Sequence, residues 1–200
     1  MRGRSRFSWA RTRRHALALA CAAFLPGVGG GPTKPVQAQP LPSDATDDPA
    51  CAGLRGGRRL AYSDPRWGFT LTHPSTFALD PGSVPEDGGS ARFSTPDGRA
   101  TAIVTGLRNG MGQSLAALLR EAKQDIAENG RGTVTYERAT PGWFVLSGFM
   151  ADRIYYRRTF LARGGRVIAT LWIEFPRDLR PCLEEAVATM SLSFREAAAP

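Results

Sequence analysis

The sequence predicts an α+β fold, an antiparallel sheet with two helices packed on it. Three observations predict it. Four extended segments follow one another with only short, turn-forming gaps, at Thr133–Arg138, Trp143–Met150, Arg153–Ala162 and Arg166–Phe175. Short gaps join antiparallel neighbours, because a parallel crossover needs a dozen or more residues. The later strands are apolar on both faces, so the sheet needs cover on both. Two stretches with apolar residues at helical spacing supply that cover.

The elements follow in chain order. Trp67, Phe69, Leu71 and His73 alternate with Gly68, Thr70 and Thr72, a period of two that reads as a strand stopped by Pro74. Ala91–Ser94 and Ala100–Leu107 flank Pro96-Asp97-Gly98, turn chemistry that joins two strands into a hairpin. Asn109–Gly112 is a loop, and Ser114 caps a helix whose stripe is Leu115, Leu118, Leu119, Ala122 and Ile126. Asn129-Gly130 ends it. The meander then carries Ile154, Tyr156 and Phe160 on one face, with Tyr155 and Leu161 on the other. Val167, Ala169, Leu171 and Ile173 alternate in the same way with Ile168 and Trp172. The closing helix has the stripe Leu183, Ala186, Val187, Met190 and Phe194, with Asp178 as its expected N-cap and Pro181 in its first turn.

Charge separates the N-terminus from the rest. The chain of 200 residues is 42% hydrophobic, enough for a core, and carries 26 Lys plus Arg against 18 Asp plus Glu. Seven of the basic residues and none of the acidic ones precede Ala38. From Gln39 onward 19 basic residues face 18 acidic, a net of +1, which argues against extended nucleic-acid binding. Met1–His15 with six arginines, the ten apolar residues Ala16–Leu25 and the Val36-Gln37-Ala38 site read as a signal peptide over 1–38. Ten apolar residues are too few for a stable membrane span. A second cleavage site upstream, a twin-arginine route through Arg13-Arg14 and lipidation at Cys21 stay open. The product is expected to be periplasmic or secreted, with a flexible leader over 39–58, one domain over 59–195 and a frayed tail over 196–200.

The candidates for chemistry are few. His73 is the only histidine after residue 38, and its strand position reads as a satisfied, partly buried side chain. A hydrolase built on Ser147, His73 and Asp152 lacks the strand-to-helix elbow that exposes a nucleophile. One His and two distant Cys offer no zinc spacing. Asp44, Asp47 and Asp48 lack the Gly and Glu of a calcium loop. Asn109–Ser114 lacks the Gly-Lys-Ser/Thr ending of a phosphate loop. No catalytic residue, metal or cofactor is therefore assigned.

If Gly164-Gly165 closes a two-residue hairpin, Arg157 faces Trp172, Tyr155 faces Glu174 and Arg158 faces Leu171. Arg157 over Trp172 reads as a cation–π pair. Arg153, Tyr155, Arg157 and Trp172 read alternatively as a small patch for an anionic ligand or a partner. Loss of Cys21 with the signal would leave Cys51 and Cys182 as an even pair in an oxidising compartment, so a Cys51–Cys182 disulfide is expected.

Asp64-x-x-Trp-Gly-Phe-Thr-Leu-Thr-His-Pro-Ser75 resembles the opening strand of PsbP/Mog-like domains. Gly142-Trp-Phe-Val-Leu-Ser-Gly148, Ile154-Tyr-Tyr and the closing Ser193-Phe194 agree with that family in order and spacing. The resemblance spans about residues 60–195 and rests on strand patterns, with no catalytic fingerprint. It implies an α/β/α sandwich around an antiparallel sheet, used as a non-catalytic docking or accessory module, and it transfers no functional residue. The function expected is an exported module that binds another envelope protein, without nucleic acid as a partner. A small-ligand-binding protein and a serine hydrolase are the rival readings.

Overall fold

The computed structural model describes residues 51, 53–55 and 57–198. The expected signal peptide, Arg13-Arg14, Cys21 and the leader up to Ala50 lie outside the described residues.

Among the described residues ten strands and two α-helices follow in the order β1 (Arg59–Asp64), β2 (Phe69–Pro74), β3 (Ala78–Asp80), β4 (Ser90–Ser94), β5 (Thr101–Arg108), α1 (Leu115–Glu128), β6 (Gly132–Ala139), β7 (Trp143–Met150), β8 (Arg153–Ala162), β9 (Val167–Pro176), α2 (Arg180–Ser193) and β10 (Arg195–Glu196). Seven strands form one antiparallel sheet in the order β3-β4-β5-β9-β8-β7-β6. The chain leaves the middle of this sheet at β5 and passes through α1 to the far edge at β6. It then returns strand by strand until β9 closes against β5.

The meander has the expected bounds to within a residue or so, because each strand is fenced by turn chemistry. Arg157 faces Trp172, Tyr155 faces Glu174 and Arg158 faces Leu171, as the Gly164-Gly165 turn requires. Both glycines hold positive φ, at 64° and 88°, and the Arg166 amide closes the turn on the Arg163 carbonyl.

The two-faced pattern of β8 and β9 is realised as two cores. On one face α1 buries Leu118, Ala122 and Ile126 against Phe144, Leu146 and Tyr155. On the other, Leu183, Ala186 and Met190 of α2 join Phe160, Ala169, Leu171 and Ile173. A fully buried Leu or Phe in such a core contributes about 1.5–3 kcal/mol. Ser114 caps α1 as expected, its hydroxyl accepting from the Ala117 amide at 3.2 Å.

Several details correct the sequence reading. The strand expected from Trp67 starts at Phe69, because Trp67 and Gly68 belong to a turn that folds back on Asp64. That strand lies outside the large sheet. With β1 and β10 it makes a three-stranded sheet, β1-β2-β10, that shares the second core with α2. Neither β1 nor the short β3 was anticipated. Glu196, placed in the frayed tail, pairs with Phe69 through β10. Asp178 does not cap the closing helix, which begins after a 3-10 turn at Arg177–Leu179, and its carboxylate is instead ion-paired with Arg99.

The end of the expected leader is anchored. Cys51 is bonded to Cys182, with Cα atoms 5.0 Å apart, and Leu54 is buried beside them. Arg55 donates to the Pro181 carbonyl at 2.8 Å. Among the described residues no helix is long and apolar enough to cross a membrane.

Candidate functional site

The uneven cover of the large sheet makes a groove. On one face α1 packs over β6 and β7; on the other α2 packs over β2, β8 and β9. The β6–β7 end of that second face is left open. The resulting concavity of about 540 Å³ runs between α2 and the edge strand β6.

Its floor is Phe149 of β7 with Ile154 and Tyr156 of β8. Its far wall is a second stripe of α2, running beside the core stripe and including Glu184, Val187, Ala188, Ser191 and Leu192. Tyr136 of β6 completes the near wall, where the pairing of β6 with β7 shifts register around Thr135. Two large apolar side chains stand in solvent at this rim, Tyr136 at 51% and Leu192 at 78% exposure.

The hydroxyls inside the groove are already engaged. Tyr156 Oη and Ser191 Oγ share a hydrogen bond, and burial pushes the Tyr156 phenol up from its ordinary pKa. Ser147 Oγ donates to the Tyr155 carbonyl at 2.9 Å. At one end Arg180 and Glu184 pair at 3.0 Å, and the Arg177 guanidinium lies 4.1 Å from the centroid of the Phe149 ring. Chemically the groove offers apolar contact and shape, with its interior hydroxyls spent on the protein itself.

The residues expected to form a patch lie on the opposite face and are divided. Tyr155 is fully buried, stacked on Trp172 with centroids 5.2 Å apart, and donates from Oη to the Thr133 carbonyl at 3.2 Å. It cannot belong to a surface patch. Burial likewise raises its pKa. Arg153 reaches diagonally to β9 in an ion pair with Glu174 at 3.0 Å.

Arg157 and Trp172 do line one cleft beside α1, of about 450 Å³. The expected cation–π pair between them is not formed. The Arg157 guanidinium lies over the Phe144 ring instead, 5.9 Å from its centroid, while Trp172 stacks on Tyr155. Burial lowers the Arg157 pKa, and Asp125 and Glu121 of α1 oppose that shift. An anion entering this cleft would meet those two carboxylates.

The residues of the hydrolase reading are not assembled. His73 is buried in β2 with its ring 4.6 Å from that of Phe93, and its Nδ1 lies 3.1 Å from the Pro74 carbonyl oxygen. Ser147 is bonded to Tyr155 as described, and Asp152 lies in the β7–β8 turn. Among the described residues no three His, Cys, Asp or Glu side chains are grouped as a metal site.

No family model matches the sequence, and no curated protein matches it. Solved structures do. Cyanobacterial PsbP (CyanoP) from Synechocystis sp. PCC 6803 superposes with a TM-score of 0.53 at 17% identity, over 72% of this chain and 96% of that one. The Ran-binding protein Mog1p of Saccharomyces cerevisiae gives 0.52 at 12% identity, over 70% and 96%. A point mutant of Mog1 gives 0.53 at 12% identity, over the same shares.

The chain has the PsbP/Mog-like fold. At these identities the likeness is one of architecture, and the site must be argued from this chain's own residues. Within the PsbP/Mog-like frame, the α2–β6 groove was invisible in the sequence. The one local signal that could have located it, not used in the sequence reading, is Leu192, an apolar residue off the stripe assigned to α2.

Proposed function

We propose that this PsbP/Mog-like chain is an exported, non-enzymatic accessory module that docks on another envelope protein. The observation that carries the reading is the α2–β6 groove, apolar inside and flanked by exposed Tyr136 and Leu192. Solvent-facing aromatic and aliphatic side chains beside a concavity are what a partner's apolar anchor would cover. The fold likeness supports the reading, since Mog1p is a Ran-binding protein. Export rests on the N-terminal charge and apolar pattern and on the Cys51–Cys182 bond, which an oxidising compartment would preserve.

The groove volume falls within the range of small-molecule pockets, which favours a ligand-binding reading as the second choice. The engaged hydroxyls weigh against it. A small ligand is oriented by a few convergent polar groups, and Tyr156, Ser191 and Ser147 are already satisfied internally.

The test is affinity capture of the tagged protein from envelope extract, beside a Leu192→Glu variant. Docking predicts a co-purifying protein that Leu192→Glu loses by about tenfold or more, as for a hot-spot residue. Equal recovery with both proteins would contradict it.

A further inference from the structure

We propose that the end of the molecule opposite in character to the apolar groove is a second contact site, a basic concavity that takes an acidic segment of the docked protein. Four arginines from three separate segments meet there. Arg66 comes from the β1–β2 turn, Arg108 from the end of β5, and Arg163 and Arg166 from the β8–β9 turn. With Trp67, Asp87 and Val167 they line a concavity of about 510 Å³. Among the described residues none of the four forms an ion pair.

The neighbouring carboxylates Asp64 and Glu196 are held by backbone amides rather than by the four guanidinium groups. Asp64 is buried and accepts from the Gly89 and Trp67 amides at 2.7 and 3.0 Å. Glu196 accepts from the Arg163 backbone amide at 2.6 Å. Asp87 alone joins the lining as an acid, and its carbonyl accepts from Trp67 Nε1 at 2.9 Å.

The three loops are fixed to one another. The Arg163 guanidinium donates to the Pro65 carbonyl, tying the β8–β9 turn to the β1–β2 turn. Gly68, with φ at 81°, leaves the space its stem occupies, since a Cβ there would lie 2.7 Å from Arg163 Nε. Asn109, next to Arg108, donates from its side chain to the Gly165 carbonyl at 2.9 Å and from its amide to the Arg166 carbonyl at 2.8 Å. Arg163 itself sits at φ 55°, a conformation that disfavours a side chain, beside two glycines. The braced loops fix where the four arginine stems start, and planar guanidinium forks match carboxylates.

The concavity fits a chain segment better than the alternatives. Single-stranded nucleic acid uses a succession of aromatic platforms along a basic track, and here one half-buried indole has its N–H engaged. A membrane surface meets a protruding face, and this one is hollow. The partner's being a protein rests on the docking reading; the basic site rests on the arginines alone.

The test follows the indole Nε1–H resonance of Trp67 in the full chain during titration with decaglutamate. It compares Arg66→Gln/Arg108→Gln/Arg166→Gln with a control of equal charge, Arg92→Gln/Arg120→Gln/Arg131→Gln. The variant set spares Arg163, which braces the turn. The expected result is a saturable shift at Trp67, with binding about tenfold weaker in the first triple variant than in the control and weakening with added salt. Equal affinity of the two variants would overturn the proposal, leaving net charge as the attraction. It is overturned too if inorganic phosphate alone saturates the same shift, or if a thymidine oligonucleotide or phosphatidylserine vesicles bind there more tightly than the peptide. A positive titration with undiminished capture by Leu192→Glu would remove the groove reading and leave this site standing. The converse pair of results would do the reverse.

Discussion

Gly148 shows how tightly single residues fix the open edge of the sheet. A Cβ there would lie 1.8 Å from the Thr133 carbonyl oxygen and 3.0 Å from Tyr155 Oη, so Gly148→Ala must push β6 off β7. The expected loss is about 1–3 kcal/mol in denaturant unfolding, the range for overpacking. Tyr155→Phe removes only the hydrogen bond to Thr133 and should cost about 1 kcal/mol. A smaller loss for Gly148→Ala than for Tyr155→Phe would contradict this geometry. Tyr155 also marks where the sequence reading stopped. Alternation assigned its face correctly, but alternation carries no information on depth. α1 covers that face at Tyr155, as an apolar face requires, and the alternative patch reading loses that residue to the core.

At the scale of elements, turn chemistry was the most legible signal. The Pro96-Asp97-Gly98 turn closes as expected, with Asp97 Oδ1 accepting from Thr95 Oγ1 at 2.6 Å and from the Arg99 amide at 3.1 Å. The Thr95 hydrogen bond above all holds the Asp97 pKa below its ordinary value. Asp178 is held down likewise, first by its hydrogen bond from Arg99. A depressed folded pKa gives stability that is present above about pH 4 and lost as pH falls through the folded value. Asp97→Asn should therefore lower the melting temperature at neutral pH, and the gap should close in acid. A gap that persists unchanged at acid pH would show that the carboxylate charge is not the cause. β1 and β3 were illegible for physical reasons. β1 has an outward-facing, largely exposed side, and β3 is a three-residue edge with no buried side chain to set a period. The groove was illegible because it arises from where α2 stops over the sheet, a property of packing that no local pattern encodes.

For the whole molecule, two long-range features decide the account, the disulfide and the opposed surfaces. Cys51 and Cys182 lie 131 residues apart, and closing a loop of that length stabilises by about 4–5 kcal/mol in the chain-entropy model. The double variant Cys51→Ser/Cys182→Ser should unfold at markedly lower denaturant. Thiol titration of the unreduced, denatured protein should detect neither cysteine; two reactive thiols from this pair would remove the bridge from the account. The near balance of charge after residue 38 concealed the basic end, since Arg66, Arg108 and the Arg163–Arg166 turn lie in three separate segments that gather only in the fold. The central claim is that the α2–β6 groove receives another protein. Its most direct test is a photo-cross-linking residue at position 192 in intact cells, with the same residue at exposed position 120 on α1 as the control. A covalent adduct with a second protein is expected from position 192 alone. Equal adducts from both positions, or a small-molecule adduct only, would contradict it.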